Sequence, residues 1–396
     1  MKLLRKENIL FIYFTYLIIA TYVYLLLQIN EFPQKYVFTE WLINYEGGYV
    51  NRGLLGQIVF YISNIFSIDL KFVILFFQAS IYTVYFILFY SLLSKIKINF
   101  FWILIIFSPI LFSYPLIELM VLGRKDTFVI CLFMIFSMIS YKSLNSLFFY
   151  FLIFFGISSF IHEITIFYMF HYLLIIYLHM KLSLQIKINN NHILGLLVFI
   201  SLLLYLNLYL DNFVVVEDIV NSYEYEIITV KSGAFSHLRP TINSVLLGTL
   251  GHIKLINILK YLLIILLNSI PFLFFIKFKK IKNLKYFSTK NIFFVFIILS
   301  LPVYGLIMDW GRVIYINYNF FIILLLFFSK LNLIKLDYIH IQTKKLNHSS
   351  KIIILILICF MFSPDIMSVN DLEYFPLPSQ SLRFFGGIIE KFIEVY

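Results

Sequence analysis

The chain has 396 residues, of which 62% are hydrophobic, 20% are aromatic and only 13% are charged, and its mean hydropathy is +0.94. A soluble domain carries about 25% charged residues, so this composition excludes an ordinary soluble protein. The net charge of +11 would suggest a nucleic-acid partner in a soluble protein, but most lysines here fall in short loops between apolar segments, so no such partner is predicted.

Apolar segments of roughly 20 residues recur along the whole chain and predict an all-α, polytopic membrane protein with about eleven transmembrane helices. The predicted spans, in chain order, are 8–28, 70–92, 99–120, 127–141, 146–161, 164–180, 192–210, 254–276, 291–308, 313–329 and 352–364. Pro109 and Pro115 are expected to kink the third span. Residues 53–68 are apolar but short, and we interpret them as an interfacial or re-entrant helix.

The distribution of charge predicts a cytoplasmic N-terminus, because cytoplasmic loops carry an excess of Lys and Arg. In this topology only Glu7 and Asp337, of the 20 acidic residues, fall on the inner side. A full span at 53–68 would invert everything downstream and is rejected. The chain is predicted to be a single transmembrane domain with polar segments on both sides. These are the outer loops 29–53 and 211–252, the outer C-terminal tail 365–396, and the basic cytoplasmic loops 277–290 and 330–351.

Four charged clusters fall on the predicted outer side, where Glu118 also lies. They are Glu46 with Arg52, Arg124-Lys125-Asp126, His162-Glu163, and Asp309 with Arg312. Ionisable groups at membrane depth cost several kcal/mol unless they are paired or hydrated, so they are functional candidates by default. The predicted inner side carries mainly lysines, which makes the mixed clusters distinctive.

Each cluster also has a purely structural interpretation. The first pair would bridge a solvated loop, the second cluster would form a turn between helices, and the third would be a buried polar pair. The fourth would pair along one helix face, because its members lie three residues apart. Gly47-Gly48 fits either a plain turn or a close approach of the backbone to a ligand. Without an HExxH motif, metal ligation is poorly supported, and neither a metal nor a cofactor is predicted.

Functionally, arginines at a membrane face suit phosphate or diphosphate, because a guanidinium binds phosphate oxygens in a bidentate manner. Neighbouring carboxylates suit a general base that takes a proton from an attacking hydroxyl. The candidates for the catalytic group are Glu46, Asp126, His162, Glu163 and Asp309. The candidates for binding diphosphate or sugar are Arg52, Arg124, Lys125, Arg239, Arg312, Tyr49 and Trp310. Trp41 and Tyr45 are further candidates for stacking on sugar rings.

The chain resembles bacterial O-antigen polymerases in size, in the number of spans, in the longer outer loop and in four short motifs. These motifs are EGGYVNRGLLG from Glu46, GRKD from Gly123, HE at His162 and DWGR from Asp309. The resemblance implies polymerisation of lipid-linked repeat units at the periplasmic face of the bacterial inner membrane. It implies an oligosaccharide on undecaprenyl diphosphate as the substrate, membrane lipid as the surroundings and a chain-length regulator protein as a partner.

An acidic position soon after the first span also resembles the GT-C class of lipid-dependent glycosyltransferases, in which Glu46 would be the counterpart of the catalytic acid. The paired acidic motif of that class is absent here, which disfavours a metal-dependent version. Two alternatives of other kinds stay open, a polysaccharide flippase or transporter and a structural or assembly protein. Against transport, the spans carry almost no charge at mid-depth and show no internal repeat.

Overall fold

The structure is a computed structural model and describes residues 6–180, 190–208, 214–223, 225, 228–238, 255–278, 303–304, 307 and 309–336. Within these ranges the chain is built of helices, as its composition predicts. The α-helices are α1 (Lys6–Gln28), α2 (Tyr36–Trp41), α3 (Gly53–Phe66), α4 (Leu70–Ser94), α5 (Phe100–Ile106), α6 (Tyr114–Ile117), α7 (Asp126–Met138), α8 (Leu144–Ile161), α9 (Met169–Leu178), α10 (Asn190–Leu208), α11 (Val216–Asn221), α12 (Leu255–Phe275) and α13 (Trp310–Lys330). Shorter 3-10 helices cover Ile29–Glu31, Glu163–Tyr168 and Gly233–His237.

Four helices in the described part of the chain are long and apolar enough to cross a membrane. They cover Asn8–Glu31, Leu70–Ser94, Leu144–Ile161 and Trp310–Lys330. This finding supports a membrane protein with several spans, whereas the predicted total of eleven is not confirmed. The predicted spans 291–308 and 352–364 fall almost wholly outside the described residues.

The third predicted span, 99–120, is not a continuous helix. Asn99 caps α5 by accepting a hydrogen bond from the Trp102 amide at 3.3 Å, and α5 already ends at Ile106. Turns then lead to the four-residue helix α6. Proline disfavours helical backbone in the residue before it, so Pro109 restricts Ser108 and stops the helix where only a kink was predicted.

The apolar segment 53–68 forms the 14-residue helix α3, as predicted. At 1.5 Å per residue this helix is about 21 Å long, shorter than the roughly 30 Å of a hydrocarbon core. Its two ends are marked by residues in the left-handed region, Arg52 with φ 70° and Ser67 with φ 52°. The length fits a helix that does not span, and its place at the interface stays a prediction.

A short antiparallel ladder joins β1 (Ile276–Phe278) to β2 (Ile334–Leu336), with Lys277 opposite Lys335. An all-α prediction missed it because three residues are too few to show the alternation of a strand. The strands lie at the edges of the predicted loops 277–290 and 330–351. Residues 279–290 and 337–351 of these loops, like the tail 365–396, lie outside the described residues.

The chain divides into two compact units, each with its own set of contacts. The first comprises Met1–Ala20, Phe89–Val121 and Ser244–Tyr396, and the second comprises Thr21–Leu88 and Leu122–Asn243. In the second unit, α7, α8 and α9 are held together by an aromatic core around Tyr172. Its ring lies 4.8 Å from Phe133, 5.2 Å from Phe136 and 5.3 Å from Phe155. This core packs the three helices together, and two of the charged clusters lie at the beginning of α7 and at the end of α8.

The predicted outer loops 29–53 and 211–252 contain helices that bind each other. The Tyr223 hydroxyl donates to the carbonyl of Leu42 at 2.6 Å, and the Ala234 amide donates to the Thr39 hydroxyl at 2.8 Å. The Val215 amide donates to the carbonyl of Gly47 at 2.8 Å. The described residues between 214 and 238 therefore contact the segment from α2 to Gly47, a long-range contact that spacing along the chain does not predict.

Candidate functional site

Arg52 is the residue from which the site is built. It sits in the turn before α3, where a positive φ is uncommon for a residue other than glycine. Its Nε donates to both carboxylate oxygens of Glu163, at 2.9 and 2.8 Å, and its Nη2 also donates to Oε1 of that carboxylate. Its Nη1 donates to the Tyr36 hydroxyl at 3.4 Å and lies 3.9 Å from Oε1 of Glu40. The carboxylate that pairs with the Arg52 guanidinium thus belongs to Glu163, a residue 111 positions away in sequence.

His162 lies under this ion pair and is fully buried. It has extended backbone between α8 and the following 3-10 helix, and its Nδ1 accepts the amide of Ile164 at 3.3 Å. Because that nitrogen is an acceptor, the proton of a neutral ring lies on Nε2. Nε2 is 3.4 Å from Oδ1 of Asp126 and 3.8 Å from Oε1 of Glu40. The imidazole therefore links two buried carboxylates.

The GRKD motif supplies two cations and one of those carboxylates. The Lys125 ammonium is buried, donates to the backbone carbonyl of Arg52 at 2.6 Å and lies 5.7 Å from the ring centroid of Trp41. The Arg124 guanidinium is 4.5 Å from the ring centroid of Tyr36, a cation–π contact. Asp126 is the first residue of α7, where the helix dipole favours a negative charge.

A glycine holds this motif in place. Gly123 has φ +84°, and its carbonyl accepts the Trp41 indole at 2.7 Å and the Gln78 amide at 3.0 Å. A Cβ at Gly123 would meet Gln78 at 2.6 Å. The indole of Trp41 is therefore a buried structural donor, 1% exposed, and does not present a free face for sugar stacking.

Glu40 is the site residue that the sequence reasoning missed. It lies on α2, four residues after Tyr36, so both side chains share one face of that helix. Its carboxylate is fully buried, and neither oxygen has a hydrogen-bond partner among the described residues. In the sequence, a glutamate in a helix of only six residues cannot be told from an acidic residue in a loop. The one feature that could have indicated its role is its i,i+4 spacing from Tyr36. Together these residues form what we call the charged cluster: Glu40, Arg52, Arg124, Lys125, Asp126, His162 and Glu163.

Burial and neighbouring charges shift the pKa values of three members. Burial works against the charge of Arg52, but the carboxylates of Glu163 and Glu40 outweigh it and raise the pKa of Arg52. Burial raises the pKa of Glu163, and Arg52 together with His162 outweighs that effect, so this pKa lies well below its usual value. Burial lowers the pKa of Lys125 to about 7, with Glu40 acting in the opposite direction. Arg52 and Glu163 thus stay charged, while Lys125 titrates near neutral pH.

The cluster can be reached mainly through one ion pair. The side chains of Glu163 and Arg52 are 30% and 17% exposed, whereas the side chains of Glu40, Asp126 and His162 are at most 1% exposed. A ligand would therefore meet a guanidinium fork and a carboxylate first. The buried members lie behind that pair and can hold it in position or exchange protons with it.

Glu46 lies at a different position from the one the sequence suggested. Its side chain accepts a hydrogen bond from the Gln57 amide at 3.0 Å, while the carboxylates facing Arg52 are Glu163 and Glu40. Glu46 is exposed, so it lacks the burial that marks the charged cluster. Its role as the catalytic acid stays a prediction. The suggested pairing of Glu46 with Arg52 is replaced by a longer-range pairing.

The residues around Glu46 have structural roles. Gly48 has φ +104°, which the turn requires, and a Cβ at Gly47 would lie 2.1 Å from the carbonyl oxygen of Val215. The close backbone approach at Gly47 is therefore to the protein itself. Tyr49 is half-buried and stacks on Tyr45, with ring centroids 6.0 Å apart.

The remaining predicted residues belong to the first unit or lie outside the described residues. Asp309 precedes α13, and its Oδ2 is 3.5 Å from Nε of Arg312, so the pairing expected along one helix face is confirmed. Trp310 is 6% exposed; its indole donates to the Tyr304 carbonyl at 2.9 Å and lies 5.3 Å from the Tyr261 ring. These contacts leave little of its ring for a sugar. Arg239 lies outside the described residues.

Three of the four predicted clusters therefore contribute to one site in the second unit. Arg52, the GRKD motif and the HE dipeptide meet there, and Glu40 joins them. Among the described residues, no group of three or more His, Cys, Asp and Glu side chains is arranged to hold a metal ion. The basic groups of the charged cluster are the side chains of Arg52, Arg124 and Lys125.

No protein-family model, no curated protein and no solved structure matches this chain. The features of this chain that bear on its function are the charged cluster and the apolar helices.

Proposed function

We propose that this chain is a membrane-embedded glycosyltransferase that moves a glycan from a polyprenyl diphosphate to a hydroxyl group of an acceptor. In its specific form, the proposal is polymerisation of undecaprenyl-diphosphate-linked O-antigen repeat units at the periplasmic face of a bacterial inner membrane. The observation that carries it is the charged cluster, in which a guanidinium fork, a buried ammonium, an imidazole and three carboxylates meet in a chain with membrane-length helices.

The cluster contains groups suited to both halves of such a transfer. Arg52 presents a fork that suits phosphate oxygens, and Lys125 adds a compact second cation behind it. As the acceptor oxygen attacks the anomeric carbon, the bond from that carbon to the diphosphate oxygen breaks, and its electron pair leaves with the diphosphate. The acceptor proton passes to a carboxylate of the cluster. Fixed cations near a developing negative charge are a major source of catalysis.

The described apolar surface suits a lipid-borne substrate. Helix α3 begins directly after Arg52 and carries exposed Tyr61, Ile65 and Phe66, which are 54%, 73% and 64% exposed. A polyprenyl chain is an apolar ligand, and burying each of its methylene groups stabilises binding by about 0.8 kcal/mol. A phosphate at Arg52 would thus lie at the beginning of an apolar helix.

The proposal is tested with purified protein in proteoliposomes and two donors, an oligosaccharide on undecaprenyl diphosphate and a monosaccharide on undecaprenyl monophosphate. We expect glycan products spaced by one repeat unit, together with free undecaprenyl diphosphate, from the first donor. Transfer from the second donor alone would indicate instead the GT-C reaction with a polyprenyl-phosphate sugar. Mass spectrometry of the lipid and glycan fractions distinguishes these outcomes, and no transfer from either donor contradicts both.

A flippase is the second candidate, favoured by one observation. Several titratable groups, including Lys125 with a pKa of about 7, are buried in a chain with membrane-length helices, which is a feature of proton-coupled carriers. The same proteoliposomes, loaded with a fluorescent lipid-linked oligosaccharide in the inner leaflet, test it. Movement to the outer leaflet driven by a pH gradient, without glycan extension, would favour the flippase.

A further inference from the structure

Glu163 occupies the position on Arg52 that a phosphate group would take. A carboxylate and a phosphate both present paired oxygens, and both bind the guanidinium through parallel hydrogen bonds. Three donor contacts already join Arg52 to the two oxygens of Glu163. A phosphate therefore cannot bind the same edge of Arg52 until this carboxylate leaves.

We propose, on the basis of the proposed function, that the carboxylate of Glu163 takes the place of the donor phosphate on Arg52 while the site is empty. Donor binding transfers Arg52 from the carboxylate to the phosphate, and the released carboxylate then becomes the proton acceptor for the attacking hydroxyl. Glu163 thus limits donor affinity when the site is empty and acts as a catalytic residue when the site is full.

The surroundings of the pair allow Glu163 to leave while Arg52 stays. The guanidinium of Arg52 has two further contacts, since its Nη1 donates to the Tyr36 hydroxyl at 3.4 Å and lies 3.9 Å from Oε1 of Glu40. Glu163 begins a 3-10 helix, and 30% of its side chain is exposed. The less constrained and more exposed partner is therefore the carboxylate.

A released carboxylate also keeps a partner for proton transfer. Oε2 of Glu163 lies 3.3 Å from Nδ1 of His162, whose Nε2 faces Asp126 at 3.4 Å. This places an imidazole between the exposed carboxylate and a buried one. A proton taken up by Glu163 therefore lies next to the imidazole, and it passes to Nδ1 only when that nitrogen releases the amide of Ile164.

The change of partner also alters the basicity of Glu163. Burial raises the pKa of Glu163, and the positive charge of Arg52 is the largest effect that lowers it. When the phosphate neutralises Arg52, the largest effect that lowers the pKa of Glu163 weakens. Glu163 therefore becomes a stronger base only after the donor has bound, which couples proton transfer to a loaded site.

The test measures binding of farnesyl diphosphate, a short polyprenyl diphosphate, to the full chain in detergent by isothermal titration calorimetry. Glu163→Gln removes the competing charge and keeps the shape of the side chain. The apparent Kd scales inversely with the fraction of molecules in which Arg52 is free, so release from a pair formed in about 90% of molecules lowers Kd about tenfold. The same variant loses glycan transfer, because an amide does not take up the proton.

Glu31→Gln is the matched control. Glu31 is also a glutamate in an ion pair, with Lys35 at 2.9 Å, but it lies outside the charged cluster. We expect this variant to bind farnesyl diphosphate with wild-type affinity and to retain transfer. Glu163→Asp, which keeps the charge on a shorter side chain, should tighten binding less than Glu163→Gln does.

The outcomes separate this inference from the proposed function. If the wild-type chain binds the diphosphate and Glu163→Gln binds it equally or more weakly, Glu163 is not a substitute for phosphate, while the proposed function stands. If neither chain binds it and both melt at normal temperatures, the diphosphate site itself is refuted. Tighter binding by Glu163→Gln with unchanged transfer would keep the competition and assign the proton acceptor to another residue.

Discussion

The charged cluster of the second unit and the Asp309–Arg312 pair of the first unit look alike in the sequence but differ in the structure. Both combine an arginine with a carboxylate next to an apolar helix. Asp309 and Arg312 pair across three positions of one helix beginning, at 3.5 Å. Arg52 and Glu163 pair across 111 positions, and further charged side chains from two other segments join them.

This difference separates a local ion pair from a site assembled by the fold. A local pair forms wherever the helix forms, because its geometry follows from helical spacing. The charged cluster forms only when the turn at Arg52, the GRKD motif and the end of α8 are all in place. Several desolvated ionisable groups around one exposed ion pair are typical of functional sites, whereas an i,i+3 pair is a common helix feature.

The largest expected effect is on glycan transfer, and it tests whether the charged cluster is functional and the Asp309–Arg312 pair is not. Arg52→Ala removes the guanidinium fork, and we expect glycan transfer to fall roughly 10²–10³-fold, the loss typical of removing a donor that stabilises a transition-state charge. Arg312→Ala should cause a smaller loss, because Arg312 is 2% exposed and has a carboxylate partner within its own helix turn. Transfer rates in the proteoliposome assay measure both.

Two further variants show whether a loss of transfer comes from the missing guanidinium or from a folding defect. Arg52→Lys keeps the positive charge without the fork and should retain more transfer than Arg52→Ala. Lys71→Ala removes a cation from a surface pair with Asp69 at 3.2 Å and should transfer at the wild-type rate. Melting temperatures in detergent report on the fold of each variant. Equal losses from Arg52→Ala and Arg312→Ala, with intact folds, would remove the functional contrast between the two regions.

The energetic side of the contrast is measured with double-mutant cycles. The pair Arg52→Ala and Glu163→Ala should give a coupling energy of about 1.5–3 kcal/mol, the range for hydrogen bonds that involve charged groups. The pair Asp309→Ala and Arg312→Ala should give a smaller coupling energy, because a 3.5 Å contact between Oδ2 of Asp309 and Nε of Arg312 joins it, whereas Arg52 donates three hydrogen bonds to Glu163. Unfolding free energies from denaturant titration in detergent supply the four values of each cycle.

A cycle isolates the pairwise energy even when each residue has other neighbours, so the comparison holds for both regions. A coupling at Asp309–Arg312 as large as that at Arg52–Glu163 would show that the local pair is bound as strongly as the assembled pair. The distinction between a local and an assembled ion pair would then have no energetic basis.

Span-length runs of hydrophobic residues predicted several of the described helices, because such runs leave few alternatives. The helices α1, α4 and α13 begin and end within a few residues of the predicted spans, and α3 is short as expected. The break after α5 was underestimated. Whether a proline kinks or ends a helix depends on packing and hydrogen bonding around it, which the sequence does not display.

The candidate site was predicted only in part, because its members lie far apart in the sequence. Arg124, Asp126, His162 and Glu163 were recognised because charges are rare in this chain. Their assembly with Arg52 was argued from topology, whereas its geometry depends on contacts between residues far apart in sequence. Glu40 was missed because its importance comes from complete burial, and nothing local distinguishes it from an ordinary loop glutamate.

The last expected effect concerns Lys125 and depends on pH. Burial lowers the pKa of Lys125 in the folded chain to about 7, from 10.5 when unfolded. Between these values the unfolded chain binds more protons, so stability must rise as the pH increases from about 7 towards 10. Lys125→Met, which keeps the apolar stem and removes the titrating group, should lack this rise.

The measurement compares melting temperatures of the wild type and Lys125→Met in detergent from pH 6 to pH 9. The difference between the two should shift in favour of the wild type by about 1 °C for each kcal/mol that the titration contributes, because the unfolding entropy grows with the 396 residues of the chain. Taking the difference between the two melting temperatures cancels the contributions of the titrating groups that both chains share. Lys125 donates to the Arg52 carbonyl and has no counterpart in the Asp309–Arg312 turn, so Arg312→Met should leave the pH dependence unchanged. A pH-independent difference for Lys125→Met would mean that Lys125 stays charged throughout and that the charged cluster holds it as firmly as it holds Arg52.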